Sequence, residues 1–150
     1  MTDTREAILD RLLVIFGTIS DVSAVARNNE SLSERQGTTI TMFDAGESTD
    51  HLVGTGKPSN SIMLVTMEPE VHVTLGTTPE SVGLELNNLR ARILNAVLTD
   101  TQLETLVGGS RSNGEIRYLG CDTDLRRGRD LKGDMQIAFS ITYIVNPADL

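Results

Sequence analysis

The stretch DMQIAFSITYIVN, residues 134 to 146, limits the fold more than any other part of the chain. Met135, Ile137, Phe139, Ile141, Tyr143 and Val145 fall on one parity. Gln136, Ala138, Ser140 and Thr142 fall on the other, with Ile144 the one bulky exception. A period of two is the period of a strand and puts the two sets on opposite faces. A row of apolar and aromatic side chains on one face needs a cover, which a helix layer or a second sheet supplies. The opposite face is small and hydroxylated, suited to water or to another subunit. The chain has 3 Phe, 2 Tyr and no Trp, so beyond Phe139 and Tyr143 its core must come mostly from Leu, Ile, Val and Met. Pro147 has no N–H for a ladder and closes the strand. The segment reads as the central or near-central strand, on which the rest packs.

Two segments with helical spacing can provide the cover. From Asp3 to about Gly17, Ile8, Leu12, Ile15 and Ile19 recur on one side with Leu9, Leu13 and Phe16. Asp3 and Glu6 have the spacing of a capping box. The second helix is expected over Pro79–Leu98. Thr78-Pro79-Glu80 supplies a hydroxyl cap, a first-turn proline and an acid. Val82, Leu86, Leu89, Ile93 and Val97 form its stripe. Thr101 to Val107 reads as one further helical turn capped by Thr101 and Glu104, with Gly108-Gly109 as the stop.

The remaining segments read as strands and loops. Val22–Arg27 is a short strand and Thr38–Phe43 its expected hairpin partner, across the turn-rich NNESLSERQG. Ile62–Met67 continues through Val71, Val73 and Leu75, with a bulge or bend expected at Pro69. Glu115–Cys121 is a further strand. The charged DTDLRRGRDLKG, Asp122–Gly133, joins it to the C-terminal strand as the loop of an extended antiparallel hairpin. Asp44–Asn60 has Leu52 and Val53 as its only bulky apolar residues. It reads as a long mobile loop that meets a partner through Glu47, Asp50, His51 and Lys57. The expected class is α+β, a mostly antiparallel (mixed) sheet with two main helices on one face and long loops. With 150 residues the chain makes one domain, 1–150.

The search for chemistry returns little. A net charge of −8 and a pI near 4.7 weigh against nonspecific binding to nucleic acid or to an acidic membrane surface. VGTGKPS (Val53–Ser59) departs from a phosphate loop, with His51 where the first glycine belongs and Pro58 where Ser or Thr belongs. Asp44, Glu47, Asp50 and His51 match no calcium-loop spacing. Cys121 is alone, so no internal disulfide forms, and no histidine lies near it in sequence. His72 reads as a solvent-facing strand residue. No segment has the form of a signal peptide or of a membrane span. The sequence names no catalytic, cofactor-binding or metal-binding residue, and the expectation is a protein that is no enzyme and needs no cofactor. A small soluble hydrolase or metal-binding protein is the remote alternative.

One arrangement stands out. Of the 13 basic residues, Arg111, Arg117, Arg126, Arg127, Arg129 and Lys132 lie between Gly108 and Gly133. Arg126, Arg127, Arg129 and Lys132 interleave with Asp122, Asp124, Asp130 and Asp134. Arginine favours interface ion pairs, so Arg126, Arg127, Arg129, Lys132 and Asp130 are the candidate subunit interface. The interleaved acids and the lack of accompanying aromatics weigh against nucleic acid as the partner.

The whole chain then resembles a known family. It has an N-terminal helix, short strands, a long loop, and a bent strand leading into a helix opened by Thr78-Pro79-Glu80. A strand, a charged loop and the terminal strand follow, with RRGRDLKGDMQIAFSITY the most telling segment. This is similar to the tail terminator (tail completion) proteins of long-tailed bacteriophages, and to related minor tail and neck proteins. The resemblance implies a small α+β subunit of the virion, assembled in the host cytoplasm. Its homo-hexameric ring caps the tail tube, ends tube polymerisation and presents a docking surface to the head-side neck or connector protein. The tail tube protein and that neck protein are the implied partners. DNA passes through an acidic lumen without specific binding, and no membrane is involved. A head–tail connector (neck or stopper) protein and a tail tube protein are the alternatives of similar architecture.

Overall fold

The computed structural model describes residues 3–29, 37–51, 62–76, 81–108, 114–126 and 132–147. Three helices, α1 (Thr4–Gly17), α2 (Val82–Leu98) and α3 (Thr101–Leu106), accompany seven strands. These are β1 (Ala24–Arg27), β2 (Thr39–Phe43), β3 (Glu47–His51), β4 (Met63–Met67), β5 (Glu70–Thr74), β6 (Glu115–Arg126) and β7 (Lys132–Val145). They form one open mixed sheet, and the class is α+β.

β7, built on the alternating C-terminal stretch, is the centre of the sheet. Its residues have a partner on each edge. Gln136 faces Asp122 on one side and His72 on the other, and Thr142 faces Glu115 and Thr66. One edge is therefore lined by β6 along nearly its whole length, and the other by β4 and β5 laid end to end. Met67 opposes Ile141 and Glu70 opposes Ala138, so the same number of residues passes on both strands. The expected irregularity at Pro69 is thus a break in bonding without a change of register. Phe139 N–H donates to the Pro69 carbonyl at 3.4 Å, and the proline has no N–H to return the bond.

The next row behaves differently. β2 pairs with β5 and β3 with β4, but Phe43 opposes Glu70 while Glu47 opposes Met67. One more residue passes on the outer strand, a bulge at 44–46 in which Ala45 has φ 55°. β3 corrects the expectation of an unstructured Asp44–Asn60. Residues 47–51 are ordered by their ladder to β4, which composition does not reveal. β1 is a second correction. It lies parallel to β2, from Ala24 opposite Thr39 to Arg27 opposite Met42, where a hairpin was expected. A period of two identifies a strand but not its direction.

The β6–β7 hairpin is antiparallel, as expected, but longer. Pairing continues to Arg126 opposite Lys132, so much of the charged Asp122–Gly133 segment is strand. A bulge lies between Tyr118 and Gly120, and Gly120 has φ 148°.

The helices cover one face only. Ile8, Leu9, Leu12 and Phe16 of α1, Val82, Leu86, Leu89, Ile93 and Val97 of α2, and Leu103 of α3 join Met135, Ile137, Phe139, Ile141 and Tyr143 in one core. The predicted inward parity of β7 is thus buried, apart from half-buried Val145. α2 packs so closely on β7 that a Cβ at Gly133 would lie 2.6 Å from Val82 Cγ1. One expected cap is kept in part and one is replaced. The Asp3 carboxylate does cap α1, accepting from Arg5 N–H at 3.3 Å, but Glu6 turns to Arg27 and leaves the capping box open. α3 is capped by Asp100, whose carboxylate accepts from Leu103 N–H at 2.7 Å, and Thr101 is its first helical residue. α2 begins at Val82 with Ser81 before it, and Thr78-Pro79-Glu80 lie outside the described residues.

Candidate interaction surfaces

One-sided coverage leaves the other face of the sheet open around β7, β4 and β6, while Thr39 and Thr41 of β2, on the same parity, are buried. The parity that points there brings Ser140 and Thr142 of β7 beside Thr66, Glu70, His72 and Thr74 on one edge, and Glu115, Arg117 and Asp122 on the other. Thr66 and Thr142 hydroxyls bond at 3.0 Å, and His72 Nε2 lies 3.3 Å from Glu70 Oε2 with the Phe43 ring edge-on at 4.8 Å. Arg117 donates to Glu115 at 2.6 Å. Asp50, Glu68, Glu70, Asp122 and Asp134 share this parity, so the open face is predominantly acidic. Ile62 and Ile144 are exposed apolar residues on it, with Leu64 opposite Ile144, and Leu119 is exposed at the β6 bulge.

The sequence-predicted residues fall at two corners. Arg126 and Lys132 are register partners at the far end of the β6–β7 hairpin, while Arg127, Arg129 and Asp130 lie outside the described residues. Glu47, Asp50 and His51 are in β3 and Lys57 lies outside the described residues. β3 joins β4, which meets β7 at its C-terminal end, whereas Arg126 and Lys132 stand at the N-terminal end of β7 on its other edge. The two candidate contacts are thus diagonally opposed across the sheet, not one site.

The sequence reading missed an ionic hub. Arg27, on the core-facing parity of β1, donates to Glu6 of α1 at 2.5 and 3.0 Å and to Asp44 at 2.8 and 2.7 Å. The guanidinium draws both carboxyls below the ordinary carboxylate range, and its own pKa rises in return through its bonds to Asp44 and Glu6. Arg5 adds a bond to the Ala45 carbonyl at 3.1 Å and an ion pair to Glu47 at 3.5 Å. Glu47 in turn accepts from the Tyr143 hydroxyl at 3.5 Å. Burial first, and Glu47 after it, push the Tyr143 phenol up to about 12. A second pair, Arg11 to Asp100 at 3.0 and 2.6 Å, ties α1 to the cap of α3 and lowers the Asp100 carboxyl. The available signal was parity: an arginine on the same face as Val25 needs an anionic partner.

Cys121 is half-buried opposite Ile137, and burial pushes its thiol up, away from the reactive thiolate. Among the described residues, no group of three or more His, Cys, Asp or Glu is placed to hold a metal. No described helix is long and apolar enough to cross a membrane.

No family model matches the chain, and no curated protein matches it. Among solved structures, it is similar to the sheath/tube terminator of an extracellular contractile injection system, PVC, determined by cryo-EM in the extended state. The TM-score is 0.44 and the identity 11%, over 97% of this chain and 57% of that one. The likeness is one of coarse fold, and this chain spans little more than half the length of that terminator.

Proposed function

We propose that the chain is a structural subunit of a phage-type tail, a terminator whose ring caps the tail tube, ends its polymerisation and offers the docking surface for the neck. The observation that carries this reading is the one-sided sheet. Helices take one face, the other is open and acidic, and β6 at one side and β3 at the other have no second strand beside them among the described residues. Free edges invite pairing, and a heterologous contact that closes by rotation gives a ring. In this reading six copies close the ring. The open face with Asp50, Glu68, Glu70, Asp122 and Asp134 lines the lumen, where like charge lets DNA pass without being held. Arg126, Arg127, Arg129, Lys132 and Asp130 contribute to the contact between copies, where mixed charge fixes register. The partners are the tail tube protein and the head-side neck protein, and the site of action is the virion.

The test is made on tails. Arg126, Arg127 and Arg129 are replaced together by Glu, with the fold checked by circular dichroism. Tails assembled with this variant are expected to be overlong and to fail to join heads. Tails of normal length that join heads normally would overturn both the contact and the assignment.

A further inference from the structure

β3 is a poor match for the strand it covers. Glu47, Thr49, Asp50 and His51 stand opposite Met67, Val65, Leu64 and Met63, so four of its five positions set a polar residue against an apolar one. Such cross-strand pairs contribute little, and Glu, Asp and Ser are weak strand formers. Residues 45–50 are exposed, and no residue of β3 belongs to the core. The other edge of β4 is well matched, with Leu64 opposite Ile144 and Met67 opposite Ile141, so β4 stands without β3. On the open face Ile62 is 39% exposed and Ile144 36%, and the carboxylate of Asp50 is the neighbour β3 gives to Leu64.

The attachments of β3 are concentrated at its root. Asp44 is held by Arg27, the Ala45 carbonyl by Arg5, and Glu47 by Arg5 and Tyr143 at 3.5 Å each. Among the described residues, no side-chain hydrogen bond or ion pair holds Ser48, Thr49 or Asp50. The chain enters the strand through the 44–46 bulge, where Ala45 has φ 55°. The strand beyond this root can leave β4 while the root stays clamped to α1.

We propose that β3 is a replaceable strand, and that the edge of β4 beneath it docks an extended segment of another protein with apolar residues at alternate positions. The backbone ladder would supply affinity. An apolar residue in the place of Asp50 would cover Leu64 and supply selectivity. The edge itself sets the chemistry of the occupant: Met67, Val65, Leu64 and Met63 stand along it, and apolar residues of an extended segment match them where Glu47, Thr49, Asp50 and His51 do not. The inference rests on the β3–β4 pair and is independent of the tail reading.

The test uses the full chain carrying Cys121→Ala, and as probe a short synthetic peptide alternating valine and threonine with lysine at each end. NMR amide shifts on titration are expected at 47–51 and 62–67. In the same background, Ser48→Cys with Thr66→Cys places two thiols on opposed residues, and oxidation staples β3 down. Stapling should weaken peptide binding at least about tenfold, and reduction should restore it. In the unstapled protein, β3 amides should exchange at least about a hundredfold faster than β5 amides. Shifts along 115–126, no shifts at all, or equal binding in stapled and reduced forms would overturn the proposal. Should the staple not form, exchange decides: β3 amides as protected as those of β5 overturn it.

Discussion

Arg27 joins three parts of the molecule through one side chain: β1 on which it sits, Glu6 in the first turn of α1, and Asp44 at the entrance to the bulge. Arg27→Met removes these charged hydrogen bonds and leaves Asp44 without its guanidinium. The expected loss is roughly 1.5–3 kcal/mol in urea melts at neutral pH, the range for bonds to charged groups. The pH dependence has a definite sign. Asp44 and Asp100 have folded carboxyl pKa values below their ordinary ones, each chiefly through an arginine. Their contribution is therefore present at neutral pH and is lost as pH falls below about 4, where the unfolded carboxylates begin to take up protons. Melts at falling pH should show that loss, and the Arg27→Met protein should lose less over the same interval. Tyr143 works at the alkaline end. Its phenol stays protonated to about 12, so stability should fall as the unfolded phenol ionises from about pH 10 upward. An ultraviolet titration should lose its latest phenolate component in Tyr143→Phe. None of these pairings was legible in the sequence, because each joins residues far apart in the chain. Only the parity of Arg27 hinted that a partner was needed.

Among the elements, those with strong internal periodicity were legible and those ordered by neighbours were not. β7 was read from its alternation and α2 from its stripe, because each carries the pattern of its own buried face. β3 has no apolar face to betray it, and β1 gave its strand character but not its direction. The hairpin was read correctly in kind and too short in length. Asp122–Arg126, DTDLR, has Leu125 as its one apolar residue and so no alternation to advertise a strand. Two substitutions test these elements. Leu89, 2% exposed in α2, should cost about 2–5 kcal/mol on replacement by alanine, measured in urea. A loss below about half a kcal/mol would mean that α2 is not the cover of the sheet. Gly120→Ala should destabilise by roughly 1–3 kcal/mol. A Cβ there meets no atom within 4 Å, so the cost is that of holding an L residue at φ 148°.

For the whole molecule, class and layer arrangement were legible from β7 and the two amphipathic helices, while the order of strands was not. That order depends on which edges meet, and composition says nothing about edges. The candidate site was legible only as residue types. That Arg126 and Lys132 stand diagonally across the sheet from Glu47 and Asp50 required the fold. The position of β7 carries a further consequence, one of time. It follows the other six strands in sequence, yet β6, β5 and β4 all pair directly with it, while β3 pairs with β4, and β2 with β5 and β1. The β6–β7 hairpin and the β3–β4 pair can form by local contact. The pairings of β4 and β5 with β7 wait for chain segments made much earlier to find it, and the loop closure this demands has to precede any gain in bonding. Such non-local pairing is slow, on the order of milliseconds to seconds. A stopped-flow refolding trace should therefore show the hairpin's substitutions acting on the folding rate, and those in β1 acting on unfolding. A growing chain holds the middle of its sheet open until β7 arrives, so the core closes late and not strand by strand.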